Sequence, residues 1–346
     1  MEFLTIHEFF KLFKITSSRN NAKSMEIKFQ SSILAVLFIV IFILTPTLIL
    51  AGEEITASTD LTLNATTRPE LKLGLTQSFT FPFLRGMSPL TSGNNIKAAI
   101  TGEVTPISLM GIGELSWTPI AFLQFMTGGS LGSGWNIPMA NGIGLNKPIG
   151  LYDPENVRKA EIDGKAFDGF IWSAWLGAAF QFDLAAVLNG DWNHVVFRAY
   201  NELRYSAYSR AGSGDSWVYI NDMGENRNGW NWYGNFVLGY QMPLSPVLDM
   251  LGFMSEVNVN LYNTPGGDFW GDKLGRWIFT GFLNFGFTPK LSSTLALQMR
   301  TLRNHGSSDL ENWDRYWYQD MELQHDYGSR RIVFYRVALI LNYKLW

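Results

Sequence analysis

The sequence predicts an all-β chain: a transmembrane antiparallel up-and-down β-barrel of about ten strands, with twelve as the alternative count. Three observations predict it. Apolar and polar residues alternate over runs of eleven to thirteen residues, the period of a strand and not of a helix. Those runs are about twice the ~5–6 residues of an ordinary strand and fit the ~9–11 that a tilted strand needs to cross a bilayer. The segments between them alternate between short turns and long polar loops, as in a barrel whose two ends face different compartments.

Composition narrows the remaining classes. Of 346 residues, 47% are hydrophobic, 15% aromatic and 16% charged, with a formal net charge of −3. A soluble domain usually carries about 25% charged residues. Without a basic excess, no nucleic-acid partner is expected, and the apolar content excludes disorder. The absence of Cys excludes a disulfide scaffold, Cys-ligated zinc, iron–sulfur clusters, a thiol nucleophile and a lipoprotein anchor. His7, His194, His305 and His325 are too scattered to form a histidine metal site. No metal and no cofactor is expected.

The N-terminal segment reads apart from the rest. Lys14, Arg19, Lys23 and Lys28 precede a 19-residue apolar run from Ile33 to Ala51, which Pro46 interrupts and Gly52 follows. A basic region, an apolar core and a small-residue cleavage site make an export signal, assigned to residues 1–51. A transmembrane anchor is the competing reading, since such a run can just span a bilayer. Met25-Glu26-Ile27-Lys28 makes a more ordinary start, with residues 1–24 then an upstream extension. Residues 52–68 are expected to form a periplasmic leader and residues 69–346 the barrel.

The ten strands fall near 70–83, 95–105, 112–126, 169–182, 194–207, 229–242, 253–263, 276–288, 292–303 and 331–346. Two show the pattern best. Phe170, Trp172, Ala174, Leu176, Ala178, Phe180 and Phe182 share one face, against Ser173, Gly177 and Gln181. Trp277, Phe279, Gly281, Leu283, Phe285 and Phe287 share another, against Thr280, Asn284 and Gly286. Short connections at 106–111, 183–193, 243–252 and 289–291 are placed on the periplasmic side. Long ones at 84–94, 127–168, 208–228, 264–275 and 304–330 are placed outside. Segment 243–252 is expected to hold a small helix, with Ser245 as N-cap, Pro246 at its first position and Gly252 as terminator. A soluble barrel or sandwich also alternates, with its apolar face inward. Strand length, aromatics near strand ends (Trp117, Trp172, Trp230, Trp232, Trp277, Tyr240, Tyr343) and a last strand without a polar tail favour the membrane.

In these registers the apolar faces carry no Asp, Glu, Lys or Arg. A charge at the bilayer midplane costs ~2–4 kcal/mol in a barrel, so a lipid face must be this clean. The opposite faces carry Lys72, Lys97, Glu103, Glu114, Arg198, Glu202, Arg204, Glu256, Arg300, Arg336 and Lys344, which form a lumen charge network. Seven are basic and four acidic, so an open passage would favour anions. The alternative, a salt-bridge network that plugs the lumen, carries more weight. Ten strands lie near the filled end of barrel sizes, and buried mixed charges must pair.

An export signal, alternation throughout and the last strand RIVFYRVALILNYKLW, which ends in an aromatic residue, resemble bacterial outer-membrane β-barrel proteins, as a class and not as one family. The resemblance implies residence in the lipid bilayer of the cell outer membrane. It also implies that the barrel-assembly machinery reads the C-terminal strand during biogenesis. Two features depart from the class. Trp346 stands where Phe is usual, and it falls on the parity opposite to Tyr343, Leu341, Leu339 and Val337.

Outer-membrane enzymes of this class include omptin-like proteases, ten-stranded and similar in size, whose sites pair acidic residues with an Asp–His couple at the extracellular mouth. Here His325 and Asp326 are sequence neighbours and would diverge on a strand. Asp191 and His194 fall at the periplasmic end. His305-Gly306-Ser307-Ser308 lacks an orienting third group. Glycines 128, 129, 132 and 134 read as surface-loop glycines and not as a phosphate cradle. No catalytic residue is therefore expected.

The last loop carries Trp313, Asp314, Tyr316, Trp317, Tyr318 and Asp320. These aromatics beside carboxylates form a candidate surface binding loop for sugar rings, cationic ligands or calcium, or simply an extended hairpin with cross-strand aromatic pairs. Loop 127–168, the longest, is either functional, folded into the lumen, or hides the hairpin that would make twelve strands. The expected function is that of a monomeric, non-enzymatic membrane protein, either a narrow solute channel or a surface-exposed ligand-binding barrel. The alternatives are an outer-membrane hydrolase with its site at the extracellular mouth and a secreted soluble β-barrel.

Overall fold

Period-two sequences of this length pair edge to edge until no edge is left. The computed structural model describes residues 55–68, 70–138, 140–147, 161–188, 190, 192–212, 215–220, 226–241, 247–261, 274–303 and 330–346. The export-signal segment 1–51 and the aromatic positions of loop 304–329 lie outside the described residues.

In chain order the strands are β1 (Thr56–Thr66), β2 (Leu71–Pro82), β3 (Asn95–Thr105), β4 (Ser108–Ile120), β5 (Leu123–Gly134), β6 (Ile143–Lys147), β7 (Glu161–Asp163), β8 (Ile171–Asp183), β9 (Val195–Tyr208), β10 (Trp217–Tyr219), β11 (Gly229–Tyr240), β12 (Leu248–Asn260), β13 (Arg276–Gly286), β14 (Leu291–Arg303) and β15 (Arg330–Lys344). Twelve of them close into a barrel, while β6, β7 and β10 form a separate small sheet in the order β10-β6-β7. Closure is made by β1 against β15, with Leu61 opposite Tyr343 and Leu63 opposite Leu341. Beyond the ladder, the Leu345 amide donates to the Thr59 carbonyl at 2.8 Å. A closed ring satisfies every strand's backbone within the wall, which a sheet in hydrocarbon requires.

The ten-strand count is corrected to twelve, and the two extra strands come from different places. Residues 56–66 are not a periplasmic leader but the first barrel strand, hydrogen-bonded on both sides. Its outward parity carries Ala57, Thr59, Leu61, Leu63 and Ala65, too faint a pattern to mark a strand. The single strand expected at 112–126 is two, β4 and β5, joined at Ala121–Phe122. Trp117 lies opposite Phe125, so the turn preserves parity and the hairpin reads as one long run. Pro119 was the available signal, since proline is excluded from central strand positions.

These two changes also turn strands around. Loop 83–94 lies at the terminus end, where β1 begins and β15 ends, and the tight turn Pro106–Ile107 lies at the opposite, long-loop end, the reverse of the expectation for both. The small helix at 243–252 is also corrected. Residues 242–246 lie outside the described set, and Leu248–Gly252 belong to β12. Glycines 128, 129, 132 and 134 stand in β5, within the wall and not in a surface loop.

Opposed residues in an antiparallel pair share a face, so the registers define inside and outside around the ring. The outward set includes Leu176 (66% exposed), Leu297 (54%) and Ile332 (59%). Among described barrel positions only Arg303 and Arg330, opposite each other on the last rung at the long-loop end, bring a charged residue onto that parity. Aromatics gather toward both edges of the apolar band. Trp172, Tyr205 and Trp230 form a chain with centroids 5.2 and 5.3 Å apart. Toward the terminus end, Phe180 lies 5.9 Å from Phe122 and 6.4 Å from Phe197. From Trp172 to Phe180 is about 26 Å along a strand, or roughly 20 Å once a tilt of about 40° is taken, close to the ~25 Å apolar belt of such barrels.

Candidate functional site

The inner wall is built by the other parity, and all eleven charged residues singled out in the sequence carry it. Within that set two ion pairs form. Lys72 Nζ donates to Glu103 Oε1 at 2.9 Å across β2 and β3. Arg204 Nε donates to Glu202 Oε1 at 2.5 Å along β9. Glu202 is only 3% exposed and accepts a second bond, 2.5 Å, from Tyr200 Oη. The Arg204 guanidinium lies over the Trp175 ring at 4.6 Å, and that of Arg198 over Tyr200 at 5.3 Å. Glu256 accepts from Tyr233 Oη at 2.6 Å.

A second group occupies β14 and β15. Arg336 pairs with Glu70, and its Nε donates to Gln298 Oε1 at 2.6 Å. Gln298 in turn donates to Thr280 at 3.0 Å. The β14–β15 register shifts between Gln298 and Met299, a bulge in which one extra residue leaves the ladder and re-aims side chains. Tyr335 falls there, with the guanidinium carbons of Arg300, Arg336 and Arg68 at 4.4, 4.5 and 5.4 Å from its ring centroid. Of the remaining predicted residues, Lys97 stands opposite Thr80 and Ser116 and Glu114 opposite Ala99 and Gly128. Lys344 stands opposite Asp60 at the terminus end.

Sequence reasoning missed the aromatic half of this lining. Trp175, Tyr200 and Tyr233 point inward among polar neighbours. Met126, Ala179 and Tyr200 form a buried cluster, with Tyr233 packed against it. Small residues make the space. A Cβ on Gly128 would meet Trp175 Cζ2 at 2.5 Å, and one on Gly177 would meet Tyr200 Oη at 2.6 Å. The pairing of wall glycines with large inward aromatics was the signal in the sequence.

At the long-loop end the lumen is narrowed from within. Ile171 and Tyr208, both inward-facing, are buried against Ile143 and Trp217 of the small sheet. Tyr208 Oη donates to the Asp168 carbonyl at 2.8 Å, and Arg210 Nη1 to the Asp168 carboxylate at 2.6 Å. Burial pushes the Tyr219 phenol up to about 12, so it stays neutral at physiological pH. The loop 127–168 therefore does contain a hairpin, β6–β7, but it lines the barrel and adds no wall strand.

Among the described residues a histidine–carboxylate pair forms at the terminus end. His194 Nδ1 lies 2.9 Å from Asp183 Oδ2, joining β8 to the start of β9 at the terminus end. Its partner is thus Asp183, which the sequence reading did not consider. Among the described residues no group of three His, Asp or Glu side chains could hold a metal ion.

Solved structures similar to this chain are barrels of limited likeness. One is the NanC porin, at 6% identity and a TM-score of 0.38, covering 83% of this chain and 100% of that one. Another is the KdgM porin, at 10% identity and a TM-score of 0.32, with 83% and 98% covered. A third is the β domain of the Bordetella autotransporter BrkA, at 11% identity and a TM-score of 0.35, with 84% and 98% covered. No family model matches the chain, and no curated relative matches it.

Proposed function

We propose that the chain is a monomeric outer-membrane β-barrel that passes small solutes through a constricted, basic lumen and performs no catalysis. The observation that carries this reading is its inverted polarity. Charged side chains line the inside of the closed wall, and among the described positions the outward parity, apart from one rung at the mouth, carries none. A soluble barrel would bury its apolar face and hydrate the other. The export signal read at residues 1–51 supports delivery across the inner membrane, and the aromatic C-terminal strand supports recognition by the barrel-assembly machinery.

A narrow passage is supported by the ion pairs, the Trp175–Tyr200–Tyr233 lining and the inward sheet. The basic excess of seven to four supports a tilt toward anions. The carboxylate-and-aromatic composition of loop 304–330 favours a second reading, a barrel that presents a ligand-binding surface.

Planar-bilayer recording on the refolded protein tests the choice. Small single-channel steps with mild anion preference, weakened by salt, are expected. Large, stable openings would contradict the constriction. Folded protein without any conductance would remove the channel reading and leave the surface-binding one.

A further inference from the structure

We propose that loop 83–94, at the terminus end, is an interfacial anchor that seats on the phospholipid headgroups of the adjoining leaflet. The inference rests on the membrane placement of the barrel and not on the channel reading.

The loop is built to hold apolar side chains in the open. It joins β2 to β3 and carries Phe83, Leu84, Arg85, Met87 and Leu90. Met87 is fully exposed, and Leu84 and Leu90 are 67% and 52% exposed. Apolar side chains in water normally turn inward, but here the backbone is closed on itself. The Phe83 amide donates to the Asn94 carbonyl at 3.2 Å, the Gly86 amide to the Thr91 carbonyl at 3.2 Å and the Thr91 amide to the Ser88 carbonyl at 2.9 Å. Thr91 also fills the space that a Cβ on Gly86 would need. Asn94 Nδ2 donates to the Leu84 carbonyl at 2.9 Å. Leu84 is held at a φ of +54°, a left-handed conformation that a residue other than glycine rarely takes. Strain of this kind persists only where the surroundings impose it, and it gathers at functional segments. An ordered loop that keeps Leu84, Met87 and Leu90 outward, one of them through a strained backbone, is an interaction surface.

Position and charge name the partner as lipid. The surface is continuous with the outward face of the wall, where Phe79 and Phe81 lead into the loop and Ile96 and Ala98 lead out of it. The Leu90 carbonyl accepts from the Ala121 amide at 2.9 Å, which lays the loop along the rim as far as the β4–β5 turn. Beside that turn the outward Trp117 and Phe125 rings stack at 5.7 Å, and aromatics of this kind mark the headgroup level. Arg85 is the only charged residue of the loop, and its Nε donates to the Asn94 carbonyl at 3.4 Å. A guanidinium set between apolar side chains suits a phosphate-bearing headgroup, with the cation on the phosphate and Leu84, Met87 and Leu90 at the acyl boundary.

The chain has no Cys, so a bimane label at Met87→Cys tests this in the full protein refolded into phosphatidylethanolamine–phosphatidylglycerol liposomes. Acyl-brominated lipid should quench the label. Aqueous iodide, present on both sides of the membrane, should reach it several-fold less than a label at Lys290→Cys, on the β13–β14 turn at the same end. Arg85→Glu should raise iodide access at position 87, and Arg85→Lys should not. Met87 is fully exposed, so labelling there should leave the heat-modifiable folded form intact. Iodide access at 87 equal to that at 290, or the same access in Arg85→Glu as in Arg85→Lys, would overturn the headgroup contact and leave the loop to a soluble partner. A label at Leu283→Cys, on the outward wall, separates this failure from that of the barrel itself. Lipid quenching at 283 without quenching at 87 removes the anchor alone, and no lipid quenching at 283 removes the membrane placement and the anchor with it.

Discussion

Arg204 stands directly opposite Trp175 in the β8–β9 register, with its guanidinium 4.6 Å from the indole centroid and its Nε bonded to the buried Glu202. One side chain thus couples a cation–π contact to an ion pair inside the lumen. Removing it leaves Glu202, among the described residues, with the Tyr200 hydroxyl as its donor, in a place that water barely reaches. Arg204→Ala should therefore lower stability by about 2 kcal/mol, below the ~3–5 of a fully buried pair because Arg204 is partly exposed. Arg204→Ala combined with Glu202→Gln should recover part of that loss. Urea unfolding in detergent, followed by heat-modifiable gel mobility, measures both. An unaffected single variant would show that the pair does not stabilise the wall.

The two inward glycines limit what the wall can carry. Gly128→Val and Gly177→Val place methyl groups where Trp175 and Tyr200 now lie. Overpacking of this kind costs about 1–3 kcal/mol. Reduced midpoints in the same assay are expected for both. Gly113→Val, whose Cβ meets nothing within 4 Å, should be tolerated.

The sides of the wall differ in their tolerance of charge. Leu339→Arg and Leu283→Arg place a cation on the outward face, at a cost of ~2–4 kcal/mol near the midplane. Asn342→Arg and Thr280→Arg place it inside. Folded yield on refolding into lipid should fall sharply for the first two and much less for the second two. Equal yields would invert or remove the assigned faces.

Closure by β1 separates twelve strands from ten. Deleting residues 55–66 strips β15 of its partner from Ala338 to Lys344 and exposes a strand edge to lipid. Deleting Tyr343–Trp346 removes the rungs from the other side, including the Leu345–Thr59 bond. Both deletions should abolish the heat-modifiable form. A dispensable leader would leave the first deletion fully folded.

Much of the wall was legible because lipid exposure demands a strict code. In β8, every second residue from Trp172 to Phe182 is apolar, and the structure turns those positions outward. The same constraint placed all eleven lumen charges on the inward parity, since none can face hydrocarbon. What stayed hidden obeys no such constraint. Leu61 and Leu63, with Ala57, Thr59 and Ala65, satisfy a lipid face with little apolar signal. The Ala121–Phe122 hairpin preserves parity from Trp117 to Phe125. The bulge at Tyr335 shifts the phase of β15, so Phe334 and Ile332 face out while Arg336 faces in. Inside the lumen, side chains meet partners far apart in sequence, such as Arg336 with Glu70. The choice of Trp175 and Tyr200 as fillers depends on glycines across the strand. Alternation reports which face a residue takes, and nothing about what it meets there.

The inverted polarity of the barrel is the central claim, and residues 291–299 of β14 test it most directly. The chain has no Cys, so spin labels can be attached at single introduced cysteines along this strand in liposomes. The account predicts oxygen accessibility that peaks at positions 295, 297 and 299 and falls at 294, 296 and 298, with a polar nickel chelate excluded from the first set. The opposite phase, or chelate access at 295 and 297, would contradict a lipid-facing outer wall.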